Sequence, residues 1–301
     1  MPNERPPTID HCAAARWRGL LPAASPWLHE EVARRMEERL ALIRLQPAAW
    51  AHWEPLSGGM AAHTLLTARY KSAECFMAMA DMKHREYAIN KIAKPWWNPA
   101  HWRGTLPRFE MPAGSGVQMV WANMALHMAS DPQALMAQWH QVLATDGFLM
   151  FSCFGPDTLR ELRELYLQLG WPAPSHEFTD MHDWGDMLVA GGFAEPVLDM
   201  ERITLSYETP ERLLAELRTL GRNLHPARFP CLRGRRWLKA LHDSLRERLA
   251  DPMDGQRLKL TFEVIYGHAI KPQKRLTMRP ETSLSLDEMR KALHSGKTHK
   301  P

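Results

Sequence analysis

The sequence predicts an α/β fold built on a parallel sheet, and three consecutive features between residues 117 and 163 carry this prediction. An apolar run over 117–127 is followed by an Asp131-Pro132 helix start and apolar residues at helical spacing. A turn at Thr145-Asp146-Gly147 then leads into a second, fully apolar run over 148–154. Strand, helix and buried strand in this order form one right-handed crossover unit of a parallel sheet.

The ends of these two strands are where a ligand is expected. In open parallel sheets, ligands bind beyond the carboxyl ends of the strands. Asn123 and His127 follow the first predicted strand, and residues 152–155 end the second. We therefore expect these residues to lie at the functional rim of the sheet.

Residues on both sides of the central unit extend the same pattern. Apolar residues at helical spacing predict an amphipathic helix over 27–43, and short strands are predicted over 47–53 and 73–80. Two further strands are predicted over 196–207 and 258–270. About fifty residues of helical character separate these last two strands.

Several helix boundaries have their own sequence signals. Thr158 with Glu161 predicts a capping box at the start of a helix. Thr179-Asp180 predicts another helix start, and Gly191-Gly192 a left-handed stop. Thr209 before Pro210 has the pattern of an N-cap followed by a proline in the first turn.

Composition limits the class of protein. A chain of 301 residues with 45% hydrophobic residues, 24% charged residues and a net charge of +4 is typical of a globular protein. The sequence has neither an apolar run long enough to cross a membrane nor an N-terminal signal core, which predicts a cytoplasmic protein. The four cysteines lie far apart, so neither a zinc site nor a redox motif is expected.

Three strings within the central region carry a family resemblance, over residues 120–127, 142–151 and 154–163. The segment Phe154-Gly-Pro-Asp-Thr-Leu-Arg-Glu-Leu-Arg163 is the most specific of them. In these strings the chain resembles class I S-adenosylmethionine-dependent methyltransferases. It is most similar to the malonyl-acyl-carrier-protein O-methyltransferases of biotin synthesis and their relatives. The weaker likeness runs from about residue 26 to about residue 272.

The resemblance implies an α/β, Rossmann-like, seven-stranded methyltransferase fold with a helical lid inserted between the last two strands. We expect a flexible N-terminal arm over 1–25 and a methyltransferase-like domain over 26–271. The lid insertion is expected at about 209–250. The polar, basic residues 272–301 are expected to form a disordered tail.

The resemblance also implies that S-adenosylmethionine binds at a glycine-rich turn after the first strand. Glycines there let the backbone approach the methionyl group, and the following helix N-terminus faces its carboxylate. The corresponding turn in this sequence is the segment 53–59. Only Gly59 aligns with a glycine of the family's motif, and Gly58 lies beside it. Trp53 stands where an acidic residue is expected, and Glu54 is one place late.

Three further cofactor positions also depart from the family pattern. Met79 occupies the place of the acid that accepts the ribose hydroxyls, and Asp81 lies two residues beyond it. Residues 107–109 lack the usual aspartate, and Gln118 replaces an acid at the start of the next strand. A lost ribose carboxylate forfeits two charge-assisted hydrogen bonds of about 1.5–3 kcal/mol each.

Two hypotheses follow from these departures. In the first, the cofactor still binds through the remaining candidates: Glu54, Gly58, Gly59, Asp81, Asn123 and His127. In the second, the chain has lost the cofactor and acts as a catalytically inactive scaffold or binding protein. A third hypothesis, modification of a protein arginine, follows from a relative of this family that hydroxylates one.

The substrate that the resemblance implies is a malonyl thioester on an acidic acyl carrier protein. Its free carboxylate is ionised at neutral pH, so methyl transfer needs alignment rather than a catalytic base. It also needs a cation, ideally an arginine that binds both carboxylate oxygens. Arg218 and Arg222, one helical turn apart in a segment without acidic residues, are the candidates. The other cations of residues 218–239 would attract an acidic partner.

Other interpretations of these motifs have less support. The basic segment is also compatible with a solvated helix face or with nucleic acid, but Trp237 and Phe229 are the only aromatic residues near it and the net charge is low. We therefore do not expect a nucleic-acid partner. A metal site at His176, Asp180 and His182 is disfavoured because the spacing matches no zinc pattern.

Overall fold

A mixed sheet forms the centre of the structure, a computed structural model that describes residues 9–20, 25–92 and 106–273. In these ranges the strands are β1 (Ala49–Trp53), β2 (Glu74–Ala78), β3 (Val117–Ala122), β4 (Leu143–Phe154), β5 (Ala194–Tyr207), β6 (Ala250–Asp251) and β7 (Arg257–Ile270). Their order is β2-β1-β3-β4-β7-β5, with β6 pairing β7. The seven-stranded fold predicted from the resemblance is confirmed.

Helices cover both faces of this sheet. Within the described ranges they are α1 (His11–Arg18), α2 (Trp27–Arg39), α3 (Pro55–Gly58), α4 (Ala61–Arg69), α5 (Met82–Ile92), α6 (Pro132–Val142), α7 (Arg160–Gln168), α8 (Met181–Ala190), α9 (Pro210–Leu220) and α10 (Arg235–Leu249). None of the helices in the described part of the chain is long and apolar enough to cross a membrane.

The pairing of the strands confirms the predicted crossover unit. Strands β1 to β4 pair in parallel, with Val120 opposite Leu149 between β3 and β4. Strand β7 runs antiparallel to both β4 and β5, as the resemblance implies for the last two long strands. Because β1, β2, β3 and β4 are parallel, their carboxyl ends meet at one edge of the sheet.

Alternate residues of the central strands build two apolar layers. Met119 and Trp121 of β3 point into a layer that includes Leu28 and Met36 of α2. Val120 points into the opposite layer, which contains residues of α6 and α8. Each such side chain stabilises the fold by about 1.5–3 kcal/mol when fully buried. Both faces of the sheet are therefore covered.

The helix starts follow the sequence with one exception. The side chains of Asp131, Asp180 and Thr209 cap α6, α8 and α9, as predicted. The predicted capping box of Thr158 and Glu161 is wrong. The Thr158 hydroxyl donates to the backbone oxygen of Glu263 at 3.0 Å, and Glu161 accepts hydrogen bonds from Thr261. Both side chains are therefore hydrogen-bonded to strand β7, and α7 begins only at residue 160.

Part of the predicted flexible arm is helical and docked. Asp10 caps α1 by accepting from the backbone nitrogens of residues 12 and 13, and its own backbone N–H donates to the Leu224 carbonyl at 2.8 Å. Ile9 and Ala14 pack against the side chain of Leu224. The arm therefore differs from the prediction over 9–20. Residues 1–8, and all but the first two residues of the predicted disordered tail, lie outside the described ranges.

The residues between β5 and β7 contain α9, α10 and the short strand β6. Leu213 and Leu220 of α9 are buried, as are Leu241 and Leu245 of α10. These side chains belong to the apolar layer that also contains residues of α2. The insertion is thus packed onto the domain at the edge where the parallel strands end.

Candidate active site

The turn after β1 contains three of the predicted cofactor residues. Glu54 adopts a left-handed conformation with φ 43°, α3 follows, and Gly59 has φ 117°. The Glu54 carboxylate accepts a hydrogen bond from the backbone nitrogen of Ala80 at 3.0 Å, which joins this turn to the one after β2. Burial raises the pKa of Glu54. Glu54, Gly58 and Gly59 therefore lie in the turn at the carboxyl end of β1.

Asp81 lies beside Glu54 at the end of β2. Its carboxylate accepts from the backbone nitrogen of Lys83 at 2.7 Å, and this hydrogen bond lowers the pKa of Asp81. The charge of Asp81 also contributes to the raised pKa of Glu54, so the two acids interact. Met79, by contrast, is fully buried in the apolar core. Glu54 and Asp81 are therefore two acids of this rim.

The Asn123 side chain connects β3 to both the turn after β1 and helix α2. Its amide nitrogen donates to the backbone oxygen of His29 at 2.8 Å and to that of Gly58. Its amide oxygen accepts from the Ser152 hydroxyl at 2.6 Å. A Cβ atom on Gly58 would lie 2.6 Å from the Asn123 backbone oxygen, so only glycine permits this approach.

Helix α2 covers the same turn with two residues that sequence reasoning missed. His29 Nδ1 lies 2.7 Å from the Ser57 backbone oxygen, and burial lowers the pKa of His29 to about 4. The imidazole is therefore neutral and donates this hydrogen bond. Glu30 accepts from the backbone nitrogen of Ala61, the first residue of α4, at 3.1 Å. The available signal was the position of His29 on the buried stripe of α2, beside Val32.

The site fits the two halves of S-adenosylmethionine unequally. Glu54 and Asp81 have further lone pairs that can accept the ribose hydroxyls of the nucleoside half. The amino-acid half is expected over the glycine turn, where Gly58 and Asn123 are in contact. The Glu30 carboxylate already occupies the N-terminus of α4 there. The described residues thus fit the adenosyl half of S-adenosylmethionine better than they fit the carboxylate of its methionyl half.

His127 lies close enough to His29 for the two rings to interact electrostatically, and it lines a cavity of about 230 Å³. The His127 side chain is buried, and neither ring nitrogen has a hydrogen-bond partner in the described residues. Burial lowers the pKa of His127 well below its ordinary value, so the ring is neutral. Its ring centroid lies 4.6 Å from that of Phe154. Of the predicted cofactor residues, His127 is the one that faces this cavity.

The cavity has apolar walls and a polar floor. The apolar side chains that line it are Met128, Phe154, Leu159, Leu162, Pro174, Phe178, Leu214, Leu217, Leu220 and Phe262. Ser175 and His176 add buried polar groups to the lining, and we call this polar part the floor of the cavity. His176 Nε2 lies 3.0 Å from the His127 backbone oxygen and donates to it, which leaves Nδ1 as an acceptor. His176 Nδ1 and the Ser175 hydroxyl lack partners within the described ranges.

Both predicted substrate arginines line this cavity, but their surroundings differ. Arg222 donates to the backbone oxygens of Gly221, at 2.9 Å, and of Arg218, and its guanidinium lies 5.0 Å from the centre of the Trp17 ring. The Arg218 guanidinium has no ion pair or hydrogen bond to any residue that the structure describes. Arg218 is therefore the better placed of the two to bind an anion.

Two other arginines of the basic segment have partners inside the chain. Arg228 pairs with Asp10 at 2.7 Å. The Arg233 guanidinium lies 4.2 Å from the ring centres of both Phe229 and Trp237. The two aromatic residues considered for base stacking thus hold an arginine of the same chain, which is unfavourable to nucleic-acid binding.

The histidines and the aspartate considered for a metal do not converge. His182 Nδ1 lies 2.7 Å from Asp180 Oδ1 at the start of α8, whereas His176 belongs to the cavity floor. Across residues 9–20, 25–92 and 106–273, no group of three or more His, Cys, Asp or Glu side chains is arranged to hold a metal ion.

The structure has the features that the resemblance to class I methyltransferases predicts: a Rossmann-like sheet, a glycine turn with neighbouring acids, and a helical insertion beside the strand ends. The structure agrees over 81% of its length with the YcgJ protein from Bacillus subtilis (TM-score 0.52, 13% identity, 99% of that chain). It agrees equally with a candidate methyltransferase from Bacillus halodurans (TM-score 0.51, 14% identity, 81% of this chain and 100% of that chain). No protein-family model matches the sequence.

Sequence relatives define the family more narrowly. The malonyl-[acyl-carrier protein] O-methyltransferase of Gallionella capsiferriformans is 38% identical over 84% of this chain and 87% of its own length. The enzyme of the same name from Laribacter hongkongensis is 37% identical over 82% of this chain and 84% of its own length. The chain belongs to the malonyl-[acyl-carrier protein] O-methyltransferase family.

Proposed function

We propose that this chain is a cytoplasmic enzyme that transfers the methyl group of S-adenosylmethionine to the free carboxylate of a malonyl thioester on an acyl carrier protein. The pathway is biotin precursor synthesis, as the resemblance implies. The observation that carries the proposal is the apolar cavity that joins His127 at the end of β3 to Arg218 on α9. The family of the chain supports the same reaction.

Arg218 is the cation for the substrate carboxylate. A guanidinium binds both carboxylate oxygens and fixes their orientation, which is the main requirement of a reaction whose nucleophile is already ionised. The bound cofactor supplies an electrophilic methyl group on a sulfonium. Apolar walls such as Phe154 and Phe262 exclude water from the reacting atoms.

The floor of the cavity suits the arm that carries the malonyl group. A buried polar group without a partner costs about 1–3 kcal/mol, so the floor favours a ligand that satisfies it. The amides and thioester of a pantetheine arm have suitable groups. An amide N–H donates to His176 Nδ1, and a carbonyl oxygen accepts from the Ser175 hydroxyl or from His127.

The insertion over 209–250 serves as the lid of this site. Helix α9 contributes Leu214, Leu217 and Arg218 to the cavity, so its movement would open a path for the arm. The exposed cations Arg235, Arg236 and Lys239 at the start of α10 attract the acidic carrier by long-range electrostatics. The lid therefore combines substrate binding with recruitment of the partner. The other described residues between 26 and 271 belong to one methyltransferase-like domain in this proposal.

A transfer assay tests this function. The chain is incubated with malonyl-acyl carrier protein and methyl-labelled S-adenosylmethionine, and the carrier is analysed by intact mass. We expect labelled carrier with the mass gain of one methylene group, a large loss of rate in Arg218→Ala, and an unchanged rate in Arg44→Ala, an exposed control outside the basic segment. An unlabelled carrier would refute the enzyme, and a gain of one oxygen atom on a protein arginine would indicate the arginine-modifying alternative.

A cofactor-free binding protein for malonyl carriers is the second candidate. The contact between Gly58 and Asn123, together with the Glu30 carboxylate at the start of α4, favours it. This candidate predicts that the chain binds malonyl-acyl carrier protein with dependence on Arg218 but transfers no label. The same assay, combined with a binding measurement, separates the two candidates.

A further inference from the structure

We propose that Glu30 determines the ligand specificity of the donor site, so that the site favours adenosyl compounds without an amino-acid carboxylate over S-adenosylmethionine. This inference rests on the proposed function for the position of the donor site. It assigns Glu30 a role that the proposed function does not use.

The carboxylate of Glu30 occupies an anion position. Helix α4 starts directly after the glycine turn, and its N-terminus carries about half a positive elementary charge. Both Glu30 oxygens lie close to the first backbone nitrogen of this helix, at 3.3 and 3.1 Å from Ala61 N. One full negative charge therefore already faces the partial positive charge that attracts a ligand carboxylate.

The fold holds Glu30 in this position. The preceding residue, His29, is buried and bound to the Ser57 backbone oxygen, which fixes α2 on the turn. Ser25 accepts a hydrogen bond from the backbone nitrogen of Met60 at 3.2 Å. A Cβ atom at Gly59 would lie 2.8 Å from Glu30 Oε2, so the carboxylate contacts the glycine turn itself. Glu30 is thus part of the donor site wall.

A second carboxylate meets net repulsion at this place. The amino-acid half of S-adenosylmethionine or S-adenosylhomocysteine would bring its carboxylate to the helix end that Glu30 already occupies. It would also have to enter where Asn123 is bonded to Gly58. Both ligands must therefore displace Glu30, whereas 5′-methylthioadenosine, which ends at the thioether, needs no displacement.

The nucleoside half keeps its partners. Glu54 and Asp81 follow β1 and β2, and their carboxylates can accept ribose hydroxyls irrespective of the amino-acid half. The chain therefore retains recognition of ribose while it disfavours the carboxylate. Glu30 is a specificity-determining residue, and it does not touch the methyl acceptor.

Calorimetric titration of the full chain with S-adenosylhomocysteine and with 5′-methylthioadenosine tests the proposal. We expect the unmodified chain to bind 5′-methylthioadenosine at least as tightly as S-adenosylhomocysteine. Glu30→Gln keeps a hydrogen-bond acceptor and removes the charge, and should tighten S-adenosylhomocysteine binding about tenfold, a difference of about 1.4 kcal/mol. The affinity of the Glu30→Gln variant for 5′-methylthioadenosine should stay within about twofold of that of the unmodified chain. Glu38→Gln, on the exposed face of the same helix, should change neither affinity.

Three results would overturn the proposed role of Glu30. Tighter binding of S-adenosylhomocysteine than of 5′-methylthioadenosine by the unmodified chain would overturn the proposal, as would equal effects of Glu30→Gln and Glu38→Gln. So would the absence of binding of either ligand at millimolar concentration. Glu30→Ala, checked for folding by circular dichroism, serves as a second variant. Label transfer to the carrier is measured separately. If only the Glu30 effect is absent, the proposed methyltransferase activity is unaffected. If only label transfer is absent, the proposed role of Glu30 is unaffected.

Discussion

The Asn123 side chain bonds directly to the backbone of Gly58, and so the turns after β3 and β1 are in contact. Both residues were predicted to contact a cofactor. In the structure they contact each other, and the Asn123 amide has three protein partners: His29, Gly58 and Ser152. The rim is thus stabilised by its own hydrogen bonds before any ligand is present.

Asn123→Ala is expected to destabilise the fold by about 2–4 kcal/mol, because it leaves the backbone oxygens of His29 and Gly58 and the Ser152 hydroxyl with fewer partners in a buried site. Urea unfolding followed by circular dichroism measures the change. Asn90→Ala, at an exposed position of α5, is the matched control and should stay within about 0.5 kcal/mol of the unmodified chain. Equal stability of the two variants would show that the Asn123 network contributes nothing.

Arg218 and Arg222 should separate into a binding and a structural residue. Arg218→Ala removes a cation that has no ion pair or hydrogen bond among the described residues. It should weaken the binding of malonyl carrier about ten- to a hundredfold, the range of a charge-assisted hydrogen bond. Arg222→Ala removes contacts with Trp17 and with the end of α9, and should lower thermal stability while carrier affinity changes less than about threefold. Fluorescence titration and thermal melts give both numbers. The reverse pattern would assign the carboxylate to Arg222.

His29 predicts a specific loss of stability in acid. Its pKa is about 4 in the folded chain, against 6.5 when exposed. Below pH 6.5 the unfolded chain therefore binds more protons than the folded chain, and the stability from neutral His29 is fully present above pH 6.5 and decreases as the pH falls toward about 4. The complete loss is about 3 kcal/mol, and the slope is at most about 1.4 kcal/mol per pH unit.

Unfolding free energies measured in urea between pH 7 and pH 5 test this slope. His29→Gln should reduce the slope by up to about 1.4 kcal/mol per pH unit, the value for one proton, whereas Asn90→Ala, which removes no titratable group, should leave the slope unchanged. Other buried histidines, such as His52, add to the total slope, because burial also lowers the pKa of His52 to about 3. An unchanged slope in His29→Gln would mean that His29 is not buried in the neutral form.

Gly267 is predicted to be intolerant of any side chain. A Cβ atom at this position of β7 would lie 2.1 Å from Cε1 of Phe151, a fully buried ring on β4. Gly267→Ala should therefore cost about 1–3 kcal/mol through overpacking between the two strands. At Gly114 a Cβ atom would meet only the Gln141 backbone oxygen at 3.8 Å, an ordinary contact, so Gly114→Ala is the control and should be nearly neutral. Equal melting temperatures for the two variants would contradict the β4–β7 register.

The central crossover unit was predictable because local and long-range signals agree there. Asp131 caps α6, and the apolar strings before and after it become β3 and β4, in parallel pairing. The final antiparallel strands followed from the resemblance. Glu54 directly follows β1, and Asp81 comes three residues after the end of β2. Both acids reached the rim because the strand ends of a parallel sheet meet at one edge.

The remaining site features depend on contacts that the sequence does not encode locally. Thr158 and Glu161 match a capping box, but both side chains form hydrogen bonds with β7, which lies about a hundred residues later in the chain. Glu30 has the pattern of a solvated charge on an amphipathic helix. Only the packing of α2 on the glycine turn places its carboxylate at Ala61. Spacing along the chain carries no information about such pairings.

Recognition of the malonyl carboxylate in the cavity beside Arg218 is the central claim, and a comparison of carriers tests it most directly. The affinity of the chain for malonyl-acyl carrier protein is measured beside that for acetyl-acyl carrier protein, which lacks only the carboxylate. We predict that the malonyl carrier binds at least about tenfold more tightly and that this difference disappears in Arg218→Ala. Equal affinity for the two carriers, or a preference that persists in Arg218→Ala, would contradict the account.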